Sequence, residues 1–235
     1  MWLWDDSAAP AEVAEFAHSE RAAEVFLTVP WSGPTPTTRS LARTLRGGGV
    51  GVACLGSGSD WADNPGNAAA WASRALAFGD FDAVHLDIEP WDSKDWPANA
   101  ERRLDGIGLA VDAVRSKTAL PIEVDVPAGL VTEYPVSFAR IMRSAARVTI
   151  MAYRDSARGI LDFSHSARVL AASTSRPYRI GVDTRPSVDT HTTFADDGRA
   201  VLDKETATVV GALRSDTHFS GIAVHDFTHW RELRP

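Results

Sequence analysis

Phe81-Asp82-Ala83-Val84-His85-Leu86-Asp87-Ile88-Glu89-Pro90-Trp91 alternates between apolar and polar residues along its length. A strand turns successive side chains to opposite faces, so His85, Asp87 and Glu89 share one face and Val84, Leu86 and Ile88 the other. The apolar face must be covered by helices. The polar face then points into the interior of a closed sheet, with Glu89 at its mouth and Asp87 one layer below. Asp82 opens the strand at the far end, and Pro90 ends it.

The same kind of unit recurs on both sides of this stretch. Upstream, Met1–Trp4, Glu24–Pro30 and Val50–Leu55 read as strands. Helices separate them, one from a Ser7 cap to about Arg21 and one carrying Leu41 and Leu45 that stops at Gly47-Gly48-Gly49. An Ala-rich helix over about Asn67–Phe78 precedes strand four. Downstream, a long helix over about Trp96–Ser116 carries Leu104, Ile107, Val111 and Val114 at helical spacing. Pro121–Val126, Arg147–Tyr153, Tyr178–Val182 and Gly221–His225 complete the strands, with helices over about Ser137–Ala146, Phe163–Ala172 and Lys204–Leu213. Eight β-α units predict an α/β fold, a (β/α)₈ TIM barrel in which residues 1–235 form a single domain. The last helix is expected to be short or absent. An open doubly wound sheet is the alternative, but it usually shows a Gly-rich phosphate turn after strand one, where this chain has Trp4-Asp5-Asp6-Ser7.

Barrel enzymes work at the C-terminal ends of their strands. Those ends carry Trp4, Trp31, Trp61, Asp87, Glu89, Trp91, Asp125, Tyr153, Arg154, Asp183 and His225. Polar groups there are costly if sealed from water, so they predict a wet cleft, although single residues such as Asp60 and Asp183 also suit capping of the following turn. Two carboxyl groups as close as Asp87 and Glu89 cannot both ionise freely, which predicts a raised pKa and a general acid. Aromatic faces at Trp4, Trp31, Trp61 and Trp91 suit the apolar faces of sugar rings.

The strand-four stretch resembles the family 18 chitinase signature D-G-x-D-x-D-x-E. Asp82, Asp87 and Glu89 match it, while Ala83 replaces the glycine and His85 the middle aspartate. Met151-Ala152-Tyr153 is similar to that family's M-x-Y segment, with Arg154 where an acid often follows, and Gly221–Trp230 is a weaker third match. The resemblance implies a compact, divergent glycoside-hydrolase-like barrel. It implies Glu89 as proton donor, Asp87 as the group orienting the substrate and Tyr153 as support for the charge that develops. His85, Asp125, Arg154, Asp183 and His225 are read with the four tryptophans as substrate-binding, and Asp183 as a possible second carboxylate opposite Glu89. Asp226 adjoins His225, so only one of the two faces the cleft, and His225 is favoured.

Other signals bound the function. If Glu123 and Asp125 point inward, they form with His85, Asp87 and Glu89 either a hydrogen-bonded polar network or a carboxylate-rich metal site. No H-x-H or H-E-x-x-H is present, so no metal and no cofactor are expected. Cys54 lies inside strand three and reads as packing rather than as a nucleophile. The 19 residues from Arg185 to Asp203, polar and including His191 and Thr193, read as a loop or lid on the active face. With 24 basic against 31 acidic residues and a net charge of −7, a nucleic-acid partner is disfavoured. No apolar run reaches the roughly 18 residues of a membrane span, and no export signal stands before Asp5-Asp6, so a cytoplasmic protein is expected. The expected partner is a small-molecule or oligosaccharide substrate. Alternatives are a cyclase, lyase or isomerase using the same acid, or a carbohydrate-binding barrel without catalysis.

Overall fold

The computed structural model describes residues Met1–Pro235 and contains one eight-stranded parallel sheet. Its strands are β1 Trp2–Leu3, β2 Glu24–Thr28, β3 Gly51–Ser57, β4 Ala83–Asp87, β5 Ile122–Pro127, β6 Arg147–Met151, β7 Tyr178–Asp183 and β8 Phe219–His225. They pair in sequence order, each parallel to the next. Nine helices lie along the chain: α1 Pro10–Ser19, α2 Pro36–Gly47, α3 Pro65–Ala75, α4 Trp96–Arg115, α5 Ala128–Glu133, α6 Pro135–Ser144, α7 Ala157–Ser173, α8 Arg199–Leu213 and α9 Phe227–Glu232. This is a (β/α)₈ barrel. Its ring is nearly closed: no ladder joins β8 to β1, and side chains bridge the seam instead. Trp4 Nε1 donates to His225 Nε2 at 2.7 Å, and the Trp2 ring meets the His225 ring edge-on at 5.3 Å.

The period-two pattern sets the layers. Val25, Leu27, Val52, Cys54, Val84, Leu86, Val124, Ile150, Ile180 and Val182 face outward into one core shared with the helices. Each fully buried side chain of this size contributes roughly 1.5–3 kcal/mol. The opposite faces fill the barrel with Trp2, Phe26, Ala53, Leu55, Ala83 and Ala223, a much smaller apolar cluster. The rest of the interior is polar.

Several helix boundaries differ from the sequence reading. Ser7 does not cap α1: its N–H and hydroxyl both donate to Asp5 Oδ1, and the helix starts at Pro10, whose fixed φ suits the first turn. Helix α7 starts six residues earlier than expected, because the Ser156 hydroxyl accepts from the Gly159 N–H. Helix α8 begins at Arg199 rather than Lys204. The short α5 has no amphipathic repeat and escaped the sequence reading. The final helix is indeed short, six residues, capped by Asp226, whose carboxylate accepts from the His229 N–H. No helix is long and apolar enough to cross a membrane.

Candidate active site

The stretch that carries strand four places its polar face inside the barrel, in three tiers. His85 occupies the middle tier and is fully buried. It is in register with Glu123 on β5. Its Nε2 lies 2.9 Å from Asp125 Oδ1 and its Nδ1 3.4 Å from Glu123 Oε2, while its ring stacks on Phe26 at 3.8 Å. Burial alone would lower the imidazole pKa; Asp125, assisted by Glu123, more than reverses this and brings it to about 9. The ring is therefore an imidazolium clamped between two carboxylates. Asp125 also accepts from Trp2 Nε1 at 3.1 Å.

Below this tier, Glu123 accepts from Arg179 at 2.6 Å, Arg179 also bridges to Glu24, and Arg147 reaches Glu24 and Glu123 at 3.4 and 3.5 Å. Against the upward pull of burial, His85 and Arg179 hold Glu123 at about 2. A recess of about 570 Å³ opens at this N-terminal end, lined in part by Glu24, Arg147 and Arg179. Of its cations, Arg147 and Arg179 are matched by the two glutamates. Of the five residues anticipated as network or metal site, His85, Glu123 and Asp125 form a hydrogen-bonded network, joined by two arginines that sequence reading did not place there. No group of three or more His, Cys, Asp or Glu is arranged to hold a metal ion.

The upper tier faces a cleft of about 760 Å³ at the C-terminal mouth. Its wall contains Glu89, Trp91, Tyr153, Arg154 and Asp183, together with Trp96, Phe163 and Arg185. Asp87 ends β4, and Glu89 follows two residues later in a non-regular backbone conformation. Burial, then the neighbouring Asp125 and Glu89 charges, raises Asp87 well above the carboxylate range. Its Oδ1 is sealed from water with no partner, an expensive state for a carboxylate and a cheaper one for a protonated acid. Burial, then Asp92 and Asp125, raises Glu89 to about 7 against the pull of Arg185. The two carboxyl groups act on each other, and the deeper Asp87, raised the further, is the one that keeps its proton.

Asp183 behaves in the opposite way. It accepts from Arg185 through both carboxylate oxygens, at 2.9 Å and 3.2 Å, and from the Arg185 backbone N–H at 2.9 Å. His225 Nδ1 lies 3.3 Å away. Since His225 Nε2 accepts from Trp4, Nδ1 is the nitrogen that carries hydrogen towards Asp183. Against burial, the His225 and Arg185 hydrogen bonds hold Asp183 below its usual value, so it stays ionised. Burial, and then the Asp183, Asp125 and Asp87 charges, push the Tyr153 hydroxyl well above its usual value, so it remains a donor.

The expected site residues therefore divide. Glu89, Trp91, Tyr153, Arg154 and Asp183 share the cleft, with the buried Asp87 acting electrostatically on Glu89 beside it. Trp4 and His225 form the seam beside it. His85 and Asp125 are sealed one tier down and serve as support rather than as substrate contacts. Trp61 is a correction: it is buried against Trp71 and packs over Gly56 and Gly58. Trp31 is another, because its exposed ring lies under the Arg74 guanidinium, away from the cleft wall. Strand-end position alone does not tell which way a loop residue turns. His191 binds Asp155 at 3.0 Å rather than lining the cleft, and Thr193 is buried, its hydroxyl donating to the Arg185 carbonyl. Trp96 and Phe163 went unread as site residues, and Arg185, noted only where the strand-seven loop begins, was given no role. Of these only Arg185 had a signal, two residues beyond Asp183 on the active face.

No family model and no curated protein sequence matches the chain. Among solved structures, it is similar to a GH113 β-1,4-mannanase at 12% identity and a TM-score of 0.64, over 96% of this chain and 86% of that one. It is similar to fungal β-1,4-galactanases at 11% identity and a TM-score of 0.61, covering 91% and 80%. It is equally similar to a xylanase-A-amylase inhibitor protein, XAIP-III, at 11% identity and a TM-score of 0.61, covering 96% and 90%. The narrower likeness to family 18 chitinases, read from strand four, gains no support from these matches. What the chain shares with all three proteins is the (β/α)₈ barrel fold.

Proposed function

We propose that the protein is a glycoside-hydrolase-like acid/base enzyme acting on a soluble sugar or glycoside. The observation that carries the reading is one cleft holding two carboxyl groups with separated pKa values, Glu89 raised to about 7 and Asp183 held ionised. Such a split is how one site supplies an acid and a charged partner at neutral pH. Glu89 protonates the leaving-group oxygen as the glycosidic C–O bond breaks. Asp87, held protonated beside Glu89, tunes it. Asp183 faces the cleft as the second carboxylate, and the Tyr153 hydroxyl donates to developing negative charge. Trp91 and Trp96 offer apolar faces for a sugar ring. The mannanase and galactanase likenesses support a sugar-cleaving use of this barrel, and the family 18 signature is retained only as a resemblance of strand four.

The test is product analysis on a panel of aryl glycosides and oligosaccharides, run in ¹⁸O-labelled water. Hydrolysis incorporates one labelled oxygen per bond broken. Glu89→Gln should lower turnover about 10²–10⁴-fold, the usual worth of a positioned acid. Turnover without label incorporation would move the protein to the cyclase, lyase or isomerase reading. Tight sugar binding with no turnover would favour a binding barrel, the reading to which the fold of the inhibitor protein lends weight.

A further inference from the structure

The cleft wall carries five charged side chains: Glu89, Glu133, Asp183, Arg154 and Arg185. Arg185 is committed to Asp183. Arg154 is different: it forms no ion pair, and Glu133, on the same wall, does not reach it. Its Nη1 donates to the Tyr153 carbonyl at 2.6 Å. Its guanidinium lies over the Phe163 ring at 3.7 Å. Phe163 is in turn backed by Gly129, where a Cβ would come within 3.3 Å of Cζ, so the absence of a side chain there leaves the ring its place. One edge of the guanidinium is closed by the carbonyl and one face by the ring. The remaining edge, Nε and Nη2, has no partner and is not sealed from solvent. Those two N–H groups point in parallel, the fork that matches the two oxygens of a carboxylate.

We propose that the cleft accepts a sugar bearing a carboxylate, a uronic-acid residue, whose carboxylate is held by the Nε–Nη2 edge of Arg154. The proposal rests on the glycosidase-like reading of the same cleft and specifies its substrate class. Charge selects carboxylate over phosphate or sulfate. A tetrahedral, often dianionic group gains most from several free cations, whereas this cleft offers one unpaired arginine among two ionised or partly ionised acids near the reacting centre. A planar monoanion matches one free fork.

The experiment is calorimetric binding to the full chain of methyl glucuronoside, galacturonoside and mannuronoside. Each is compared with its neutral glucoside, galactoside or mannoside and with the 6-sulfate and 6-phosphate. At least one uronoside should bind about 10–100-fold tighter than its neutral partner, the range of a charge-assisted hydrogen-bond pair. Arg154→Gln should bring that ratio towards one. Arg154→Lys, which keeps the charge and loses the fork, should recover only part of it. Circular dichroism and thermal melts of both variants check that they fold. Ratios near one for every pair, a preference that survives Arg154→Gln, or tighter binding of the sulfate or phosphate would each overturn the proposal. Nitrophenyl uronides keep the two readings apart. A uronide that binds tightly but is not cleaved supports the carboxylate subsite and removes hydrolysis. Cleavage of neutral glycosides with no uronoside preference does the reverse.

Discussion

Replacing Glu89 with Gln should make the protein more stable while disabling it, and the site dictates the pH at which the stabilisation appears. Folding carries the Glu89 carboxyl from 4.5 to about 7, chiefly through burial. At 1.36 kcal/mol per unit this is worth about 3 kcal/mol. Below pH 4.5 Glu89 is protonated in both states and contributes no difference. Between pH 4.5 and 7 the unfolded chain releases the proton that the folded chain keeps, so stability falls as pH rises. Above pH 7 the folded state carries the whole penalty of a confined charge. Gln is neutral throughout and escapes it. Glu89→Gln should therefore match the wild type at pH 4 and exceed it by up to about 3 kcal/mol at pH 8. For a chain of this size that corresponds to roughly 6–12 °C in Tm. The carboxyl group keeps one side towards the cleft, so solvent screening should bring the gain towards the lower end. Urea unfolding and thermal melts of both proteins from pH 4 to 8.5 measure it. A gap that does not change with pH, or a variant less stable than wild type at pH 8, would refute the placement of Glu89 in a desolvated carboxyl pair.

Asp87→Asn should lower turnover as well, and its loss should not add to that of Glu89→Gln in a double-mutant cycle, because the two carboxyl groups set each other's protonation. His85→Leu should cost about 3–5 kcal/mol in urea unfolding, since it strips a buried cation from Asp125 and Glu123. With its imidazole raised from 6.5 to about 9, the wild-type contribution from His85 is fully present below pH 6.5. It is lost as pH rises through 9, and the variant should lack that alkaline fall. Gly106→Ala should cost at least about 1–3 kcal/mol in the same assay, because a Cβ on that turn of α4 falls onto the Ala62 carbonyl oxygen. The Cys54 thiol, wholly buried and pushed far up by burial, should resist Ellman's reagent in native buffer and react fully in denaturant.

The barrel and the inward polar face of β4 were legible in the chain itself, because both follow from local periodicity. Alternation at Val84–Glu89 survives in any sheet with one apolar side, and eight repeats of strand and helix leave few ways to bury their faces. The pairing of Asp87 with Glu89 is local too, two residues apart at the end of β4. Partners from distant strands were not legible. Arg179 and Glu24, 155 residues apart, and Trp4 and His225, 221 apart, meet only because the ring brings β7 to β2 and β8 to β1. The opposite fates of the cleft carboxyls belong to the same level. Glu89 and Asp183 are both acids at strand ends, and nothing in their residue types separates them. Arg185 is a local partner two residues on, but the pairing of β7 with β8 sets His225 against Asp183 as well, while Glu89 is left near Asp92 and Asp125 without a cation of its own. Side-chain direction in loops was likewise decided by packing: Trp61 turns inward onto Trp71, and Trp91 stays on the cleft wall. Periodicity is written along the chain, whereas pKa and cleft membership depend on fields and contacts that exist only once remote segments are adjacent.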